Sequence, residues 1–272
     1  MATKINVKNL DAIVIAGGGA KVMSGLGAIH ILKKRGYLTQ VKTVAGTSAG
    51  AIVAAGLALN KNCVELCNAL SKNTYAPELD LGNFPRAFGI DTGAHLYSAI
   101  DILLGEQTYT FRSILEETGV TLIICATNLS ELKATYFSPM ETPNFDVRTA
   151  IRMSCSLPVL FSAVRNENSV YVDGALSDPF PVDYVASLGD VNNVLGIRYE
   201  SLEYKTPMEI NSIEKFCTSL IAVSTRDRFK HPNIFTIDVG EISVMDFKTP
   251  RVLRKSFKIG ARAMVHFLKK ND

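Results

Sequence analysis

The chain has 272 residues, 47% of them hydrophobic and 20% charged, and its formal net charge is +3. That is enough chain to bury the core of one large α/β domain, and the composition excludes a disordered or fibrous protein; so small a charge gives no footing for a nucleic-acid partner. Five cysteines, an odd number without Cys-x-x-Cys spacing, argue against a disulfide framework and a zinc site and suit reduced thiols.

The N-terminal residues lack the apolar core of a signal peptide. The longest apolar stretch, Ala49 to Leu59, is far short of the ~20 residues that span a bilayer. A soluble, cytoplasmic or intracellular protein is expected, with any membrane contact peripheral. Asp11 to Ala16 reads as a buried strand stopped by Gly17-Gly18-Gly19. Val22 to Lys34 has helical spacing of apolar residues and ends on basic residues before Gly36. Lys42 to Ala45 is a second strand, and an Ala/Leu-rich helix follows Ser48. A β-α-β-α start implies a parallel sheet with helices packed on it, and so a three-layer α/β/α fold. Asn62 to Lys72 is a further helix. Asn73 to Asp91, with its prolines and glycines, reads as a surface loop. Leu96–Leu104 and Phe111–Glu117 are helical, Val120–Thr127 is the most strand-like run, and Ala134–Phe137 is its neighbour. Asp146 caps a helix to Ser154. Ser169–Asp173, Val194–Arg198 and Ile234–Val239 are strands, with a helix over 213–229. Arg251 to Lys270 is a basic amphipathic helix. No repeat or linker divides the chain, so 11–190 and 191–272 read as a domain and an extension packed on it.

Three stretches could carry chemistry. Gly46-Thr47-Ser48-Ala49-Gly50 lies between a strand and a helix, where a sharp turn exposes a nucleophilic serine and the helix N–H groups point at it. The same pattern also suits a plain small-residue turn. Gly17-Gly18-Gly19 can gather amides around an oxyanion or a phosphate. It is a poor dinucleotide loop, because Val22 occupies the third glycine position and no acidic residue ends the second strand. It lacks the Gly-Lys-Ser/Thr of a Walker A loop. No histidine is well placed as a base: His30 and His266 lie inside helices, His95 near a helix start and His231 before Pro232. Asp173 instead ends a strand and is followed by Gly174-Ala175, so its carboxylate can reach the sheet edge that carries Ser48. A turn or capping aspartate is the competing description. Ser154 and Ser156, in Arg152-Met-Ser-Cys-Ser-Leu-Pro158, read as structural.

Taken in this order, Gly17-Gly18-Gly19-Ala20-Lys21, Gly46-Thr47-Ser48-Ala49-Gly50 and Asp173-Gly174-Ala175 resemble the motifs of the patatin-like phospholipases. Ser154-Cys-Ser-Leu-Pro158 is similar to that family's small-residue segment before the aspartate. The resemblance covers about Asp11 to Val185, so 11–190 would be the catalytic domain. One departure is Val22, where the family usually has glycine. The resemblance implies a lipid acyl hydrolase with Ser48 as nucleophile and Asp173 as proton acceptor. It assigns the oxyanion hole to amides of Gly17, Gly18, Gly19 and Ala49, with Gly46, Gly50, Gly174 and Ala175 supporting it. Lys21 would orient the loop or meet a lipid phosphate, or else lie solvated on the surface. No cofactor or metal is expected, and the partner is the lipid substrate. The alternative is a catalytically silent member that binds lipid or phosphate at Gly17–Gly19. The basic helix at 251–270 would pack its apolar stripe on the core or lie on an anionic bilayer.

Overall fold

Asp11 stands just before the strand on which both faces of the molecule are built. The computed structural model describes residues 7–73, 80–189, 191–201, 209–225, 233–247 and 249–271. β1 (Ala12–Ile15) is buried throughout and runs through the glycines and a 3₁₀ turn, Gly19–Lys21, into α1 (Val22–Lys34). β2 (Thr43–Thr47) leads directly to α2 (Ala49–Ala58). The Asn62 side chain accepts from two backbone N–H groups to start α3 (Cys63–Lys72). A short α4 (Phe84–Ala87), β3 (Gly89–Asp91) and α5 (Ala94–Leu104) follow. α6 (Phe111–Thr118) begins with a reciprocal Thr110/Ser113 cap, and β4 (Thr121–Asn128) turns back as β5 (Lys133–Phe137). Asp146 caps α7 (Val147–Ser154), as its position suggests. Then come β6 (Val159–Phe161), β7 (Val164–Asn166), β8 (Ser169–Asp173) and α8 (Val182–Ala186). The chain continues through β9 (Val194–Glu200), α9 (Ile213–Thr225), β10 (Ile234–Asp238) and α10 (Pro250–Asn271).

The main sheet runs β10-β9-β1-β2-β4-β8-β7, with β5 also on β4; β10 to β4 are parallel, and β5, β7 and β8 antiparallel. Alternate residues of β1 face opposite layers, as a period of two requires. Ile13 and Ile15 join the larger core under α1, α2 and α10, while Ala12 and Val14 join Phe180, Val182 and Val185 beneath α8. The fold is therefore three-layer α/β/α with a mainly parallel sheet, one helical layer being much thinner than the other.

Register around β4 sets up the site. Thr47 of β2 pairs with Cys125, and Asp173 of β8 pairs with Ala126, the next residue of β4. β5 occupies the opposite edge of both Cys125 and Ala126. β2 and β8 thus approach head-on along one edge of β4 and meet just past Thr47.

One expectation changes. Of the stretch read as a surface loop, residues 74–79 lie outside the description, but 80–91 contain α4 and β3, and Ile90 and Asp91 are buried where β3 pairs with β6. The helix expected over 213–229 is present as far as Thr225, and 226–229 lie outside the described residues. Of the two placements expected for the basic helix, α10 takes packing on the core: Leu253, Met264 and Leu268 are buried, with Phe257 and Phe267 packed beside them. The crossing of α10 with α1 is backbone on backbone, since a Cβ on Gly260 would strike the Ser24 carbonyl and one on Gly27 the Phe257 carbonyl. Among the described residues, no helix is long and apolar enough to cross a membrane.

Candidate active site

Ser48 stands alone between β2 and α2, with φ 56° and ψ −134°. A non-glycine residue held there costs on the order of 1–3 kcal/mol, which the surroundings must impose. The flanking glycines serve by lacking a side chain rather than by unusual torsions. A Cβ on Gly50 would lie 2.5 Å from the Ile15 carbonyl oxygen and 2.6 Å from that of Ala16, and one on Gly46 would run into the Gly50 carbonyl. The Ser48 N–H donates to Ser154 Oγ at 2.8 Å, and Ser154 Oγ donates in turn to the Cys125 carbonyl at 2.6 Å. This leaves Ser48 Oγ free to donate to Asp173 Oδ2, at 2.8 Å.

Asp173 is 2% exposed. Its Oδ1 accepts from the Ala175 N–H at 2.8 Å, its own N–H donates to the Ser156 carbonyl at 2.8 Å, and Thr127 Oγ1 donates to its carbonyl at 2.8 Å. Burial pushes its carboxyl up to about 7, against the lowering effect of the bonds from Ala175 N–H and Ser48. A carboxylate with that affinity for a proton is a competent base near neutral pH.

The glycine loop lies against the serine: a Cβ on Gly17 would be 3.3 Å from Ser48 Cβ. Gly17 differs from its assigned role, because its N–H is already donated to the Pro179 carbonyl at 2.9 Å. Gly18, Gly19 and Ala49 line the same cavity as Ser48. Among the described residues, nothing accepts from the N–H of any of these three. Gly19 has φ 53°, and its missing Cβ makes room for Val244, whose carbonyl accepts from the Ala20 N–H at 2.8 Å. Lys21 is not a solvated surface lysine; it is 2% exposed, and its Nζ donates to Ser201 Oγ at 2.8 Å. Tyr199 wedges under the loop, its ring 2.8 Å from where a Gly18 Cβ would be and its hydroxyl against Gly25, buried and without a hydrogen-bond partner among the described residues. Val22, the departure from the usual glycine, is buried at the start of α1 and lines the cavity.

Among the described residues, no histidine is hydrogen-bonded to Ser48 or Asp173. His30 packs against the Phe257 ring with centroids 5.7 Å apart, His266 lies on α10, and His231 is outside the described residues. His95 lines the cavity from the first turn of α5. Ser154, Tyr199, Ser201 and Val244 support the site, and of these four only Ser154 falls in a stretch that the sequence singles out. The short spacing of Ser154 before Leu157-Pro158 is the one available signal. Arg152 is another such residue. It is buried, donates to Ser156 Oγ and to the carbonyls of Thr92 and Ser162, and so fixes the segment whose Ser156 carbonyl holds Asp173.

Ser48 and Asp173 open into a cavity of about 1180 Å³, walled by apolar side chains such as Ile52, Leu96, Phe180 and Met245. This is larger than the roughly 300–1,000 Å³ of ordinary small-molecule sites. Among the described residues, no cluster of three or more His, Cys, Asp or Glu side chains is placed to hold a metal ion.

Comparison with known proteins matches this architecture. Residues 13–186 fit the family model described as patatin-like phospholipase. A probable lipid hydrolase of Invertebrate iridescent virus 6 is 25% identical over 185 residues, covering 65% of this chain and 63% of its own. The triacylglycerol lipase ptl3 of Schizosaccharomyces pombe is 22% identical over 281 residues, covering 90% and 57%. The chain thus spans under two thirds of the length of either relative. Among solved structures, VipD of Legionella pneumophila superposes with a TM-score of 0.62 at 16% identity, over 97% of this chain and 67% of its own. ExoU of Pseudomonas aeruginosa, solved with SpcU, gives 0.52 at 17% identity over 97% and 53%. With most of the sheet and all three motifs inside the matched span, the chain belongs to the patatin-like phospholipase family.

Proposed function

We propose that the protein is a serine lipid acyl hydrolase that cleaves fatty-acyl esters of phospholipids or related lipids, a phospholipase A-type carboxylic ester hydrolase. The observation that carries this reading is the 2.8 Å bond from Ser48 Oγ to the buried Asp173 carboxylate in the wall of a largely apolar cavity. Asp173 takes the Ser48 proton as Oγ attacks the ester carbonyl. The negative charge on the carbonyl oxygen is met by the N–H groups of Gly18, Gly19 and Ala49, the last at the positive end of α2. Collapse of the tetrahedral centre breaks the bond to the alcohol, which leaves with the proton from Asp173. Water then attacks the acyl-serine, Asp173 accepts its proton, and Ser48 is restored as the fatty acid departs. The machinery lies within 11–190, while 191–272 buttresses the glycine loop through Tyr199, Ser201 and Val244.

Fatty-acid release from phospholipid vesicles tests the proposal. Ser48→Ala and Asp173→Asn should each abolish release while circular dichroism stays unchanged. Retained hydrolysis in either folded variant overturns the dyad. Saturable lipid binding without any release by the parent protein favours a silent binding protein instead.

A further inference from the structure

α9 carries apolar side chains on the side away from the protein. Ile213, Phe216, Leu220 and Val223 recur at intervals of three and four, which puts them on one face of a helix about 15 Å long over that span. All four are exposed, Phe216 to 49%, Leu220 to 54% and Val223 to 77%. The opposite face is engaged: Cys217 and Ile221 pack with Leu157 and Leu160, and Ala222 lines the cavity that holds Ser48. Val223 belongs to both surfaces, so the stripe ends at the cavity wall. β6, on which α9 packs, pairs with β3, and immediately before β3 stand exposed Phe84 and Phe88. Exposed Arg86 lies between those two phenylalanines, and Arg165 sits over the Phe88 ring at 5.3 Å. Neither arginine pairs with a carboxylate among the described residues. An apolar stripe this long is unusual on a surface that only meets water.

We infer that the outer face of α9, with the Phe84–Phe88 turn, is the surface on which the protein docks to a lipid bilayer. The apolar side chains enter the acyl boundary, and Arg86 and Arg165 meet anionic head groups. Choosing a bilayer over a protein partner rests on the lipid hydrolase reading. The position of the stripe then has a mechanical sense, because one helix is seated in the lipid on one side and walls the reaction cavity on the other.

Flotation with vesicles of phosphatidylcholine, with and without phosphatidylglycerol, tests this beside two other readouts: hydrolysis of a monomeric short-chain nitrophenyl ester, and gel filtration. The parent protein should float, more strongly with phosphatidylglycerol. The double variant Phe216→Asp/Leu220→Asp should lose about tenfold or more in vesicle binding, from two apolar side chains withdrawn from lipid, while monomeric ester turnover is unchanged. Arg86→Ser with Arg165→Ser should remove the phosphatidylglycerol increment alone. Undiminished flotation of the aspartate variant overturns the inference. So does a parent protein that hydrolyses the monomeric ester but never floats, or one that does not float and forms a dimer split by the same substitutions. Flotation without hydrolysis of either substrate supports the docking surface and refutes the hydrolase reading instead.

Discussion

Asp173 carries opposite consequences for stability and for catalysis. Its folded-state affinity for a proton is raised to about 7 from an ordinary 3.8, so between those values the folded chain holds a proton that the unfolded chain has released. Stability therefore falls as pH rises across that window, and above it the buried charge costs on the order of 4 kcal/mol, at about 1.4 kcal/mol per pH unit. Asp173→Asn should be the more thermally stable protein at pH 8, with the advantage gone near pH 4; denaturation curves at the two pH values check this. Activity runs the other way, because only the ionised carboxylate accepts the serine proton, so turnover should rise through about pH 7 and level off above it. Ser154 has no part in proton transfer, but its Oγ holds the Ser48 N–H. Ser154→Ala should lower stability by about 1–3 kcal/mol through the unmet N–H, and turnover with it, as Ser48 relaxes from its strained torsions. Tyr199→Phe should be neutral or stabilising in a melting experiment, since its buried hydroxyl has no partner to lose among the described residues.

Among the elements, those with long periodic signals were readable in the sequence and the shortest were not. The glycine-stopped run at Ala12–Ile15, the cap at Asp146 and the apolar spacing along α10 each pointed to the element observed. β3, β6 and β7 have three residues each, too few to display a period of two, and β3 and β6 exist by pairing with one another. The elbow was readable because strand, glycine, serine, glycine and helix are contiguous. What the sequence could not say was that Gly46 and Gly50 are required by neighbouring carbonyls, while Ser48 itself adopts the positive φ. The α1–α10 crossing shows the same logic. Replacing a helical glycine by alanine ordinarily gains up to about 1 kcal/mol. At Gly260 the new Cβ meets the Ser24 carbonyl, part of a backbone that has little room to move, so Gly260→Ala should lose about 1–3 kcal/mol or more. A denaturant midpoint that rises on this substitution would show that the helices can separate without cost.

Across the whole molecule, residues that follow the last motif finish the site. Tyr199, Ser201 and Val244 hold the glycine loop from β9 and the segment before α10, and none falls in a pattern with a fixed distance to the loop. The strand end at Asp173 made a pairing with Ser48 readable as one of two descriptions, and the resemblance to a family favoured it; the physical reason they meet is the head-on approach of β2 and β8 along β4. The most direct test of that meeting is the rate at which a fluorophosphonate labels the protein, followed by peptide mapping. A single adduct on Ser48 is predicted, formed faster as pH rises through about 7 and slowed about 10²–10⁴-fold in Asp173→Asn. Labelling at another residue, or an undiminished rate in folded Asp173→Asn, would contradict the account.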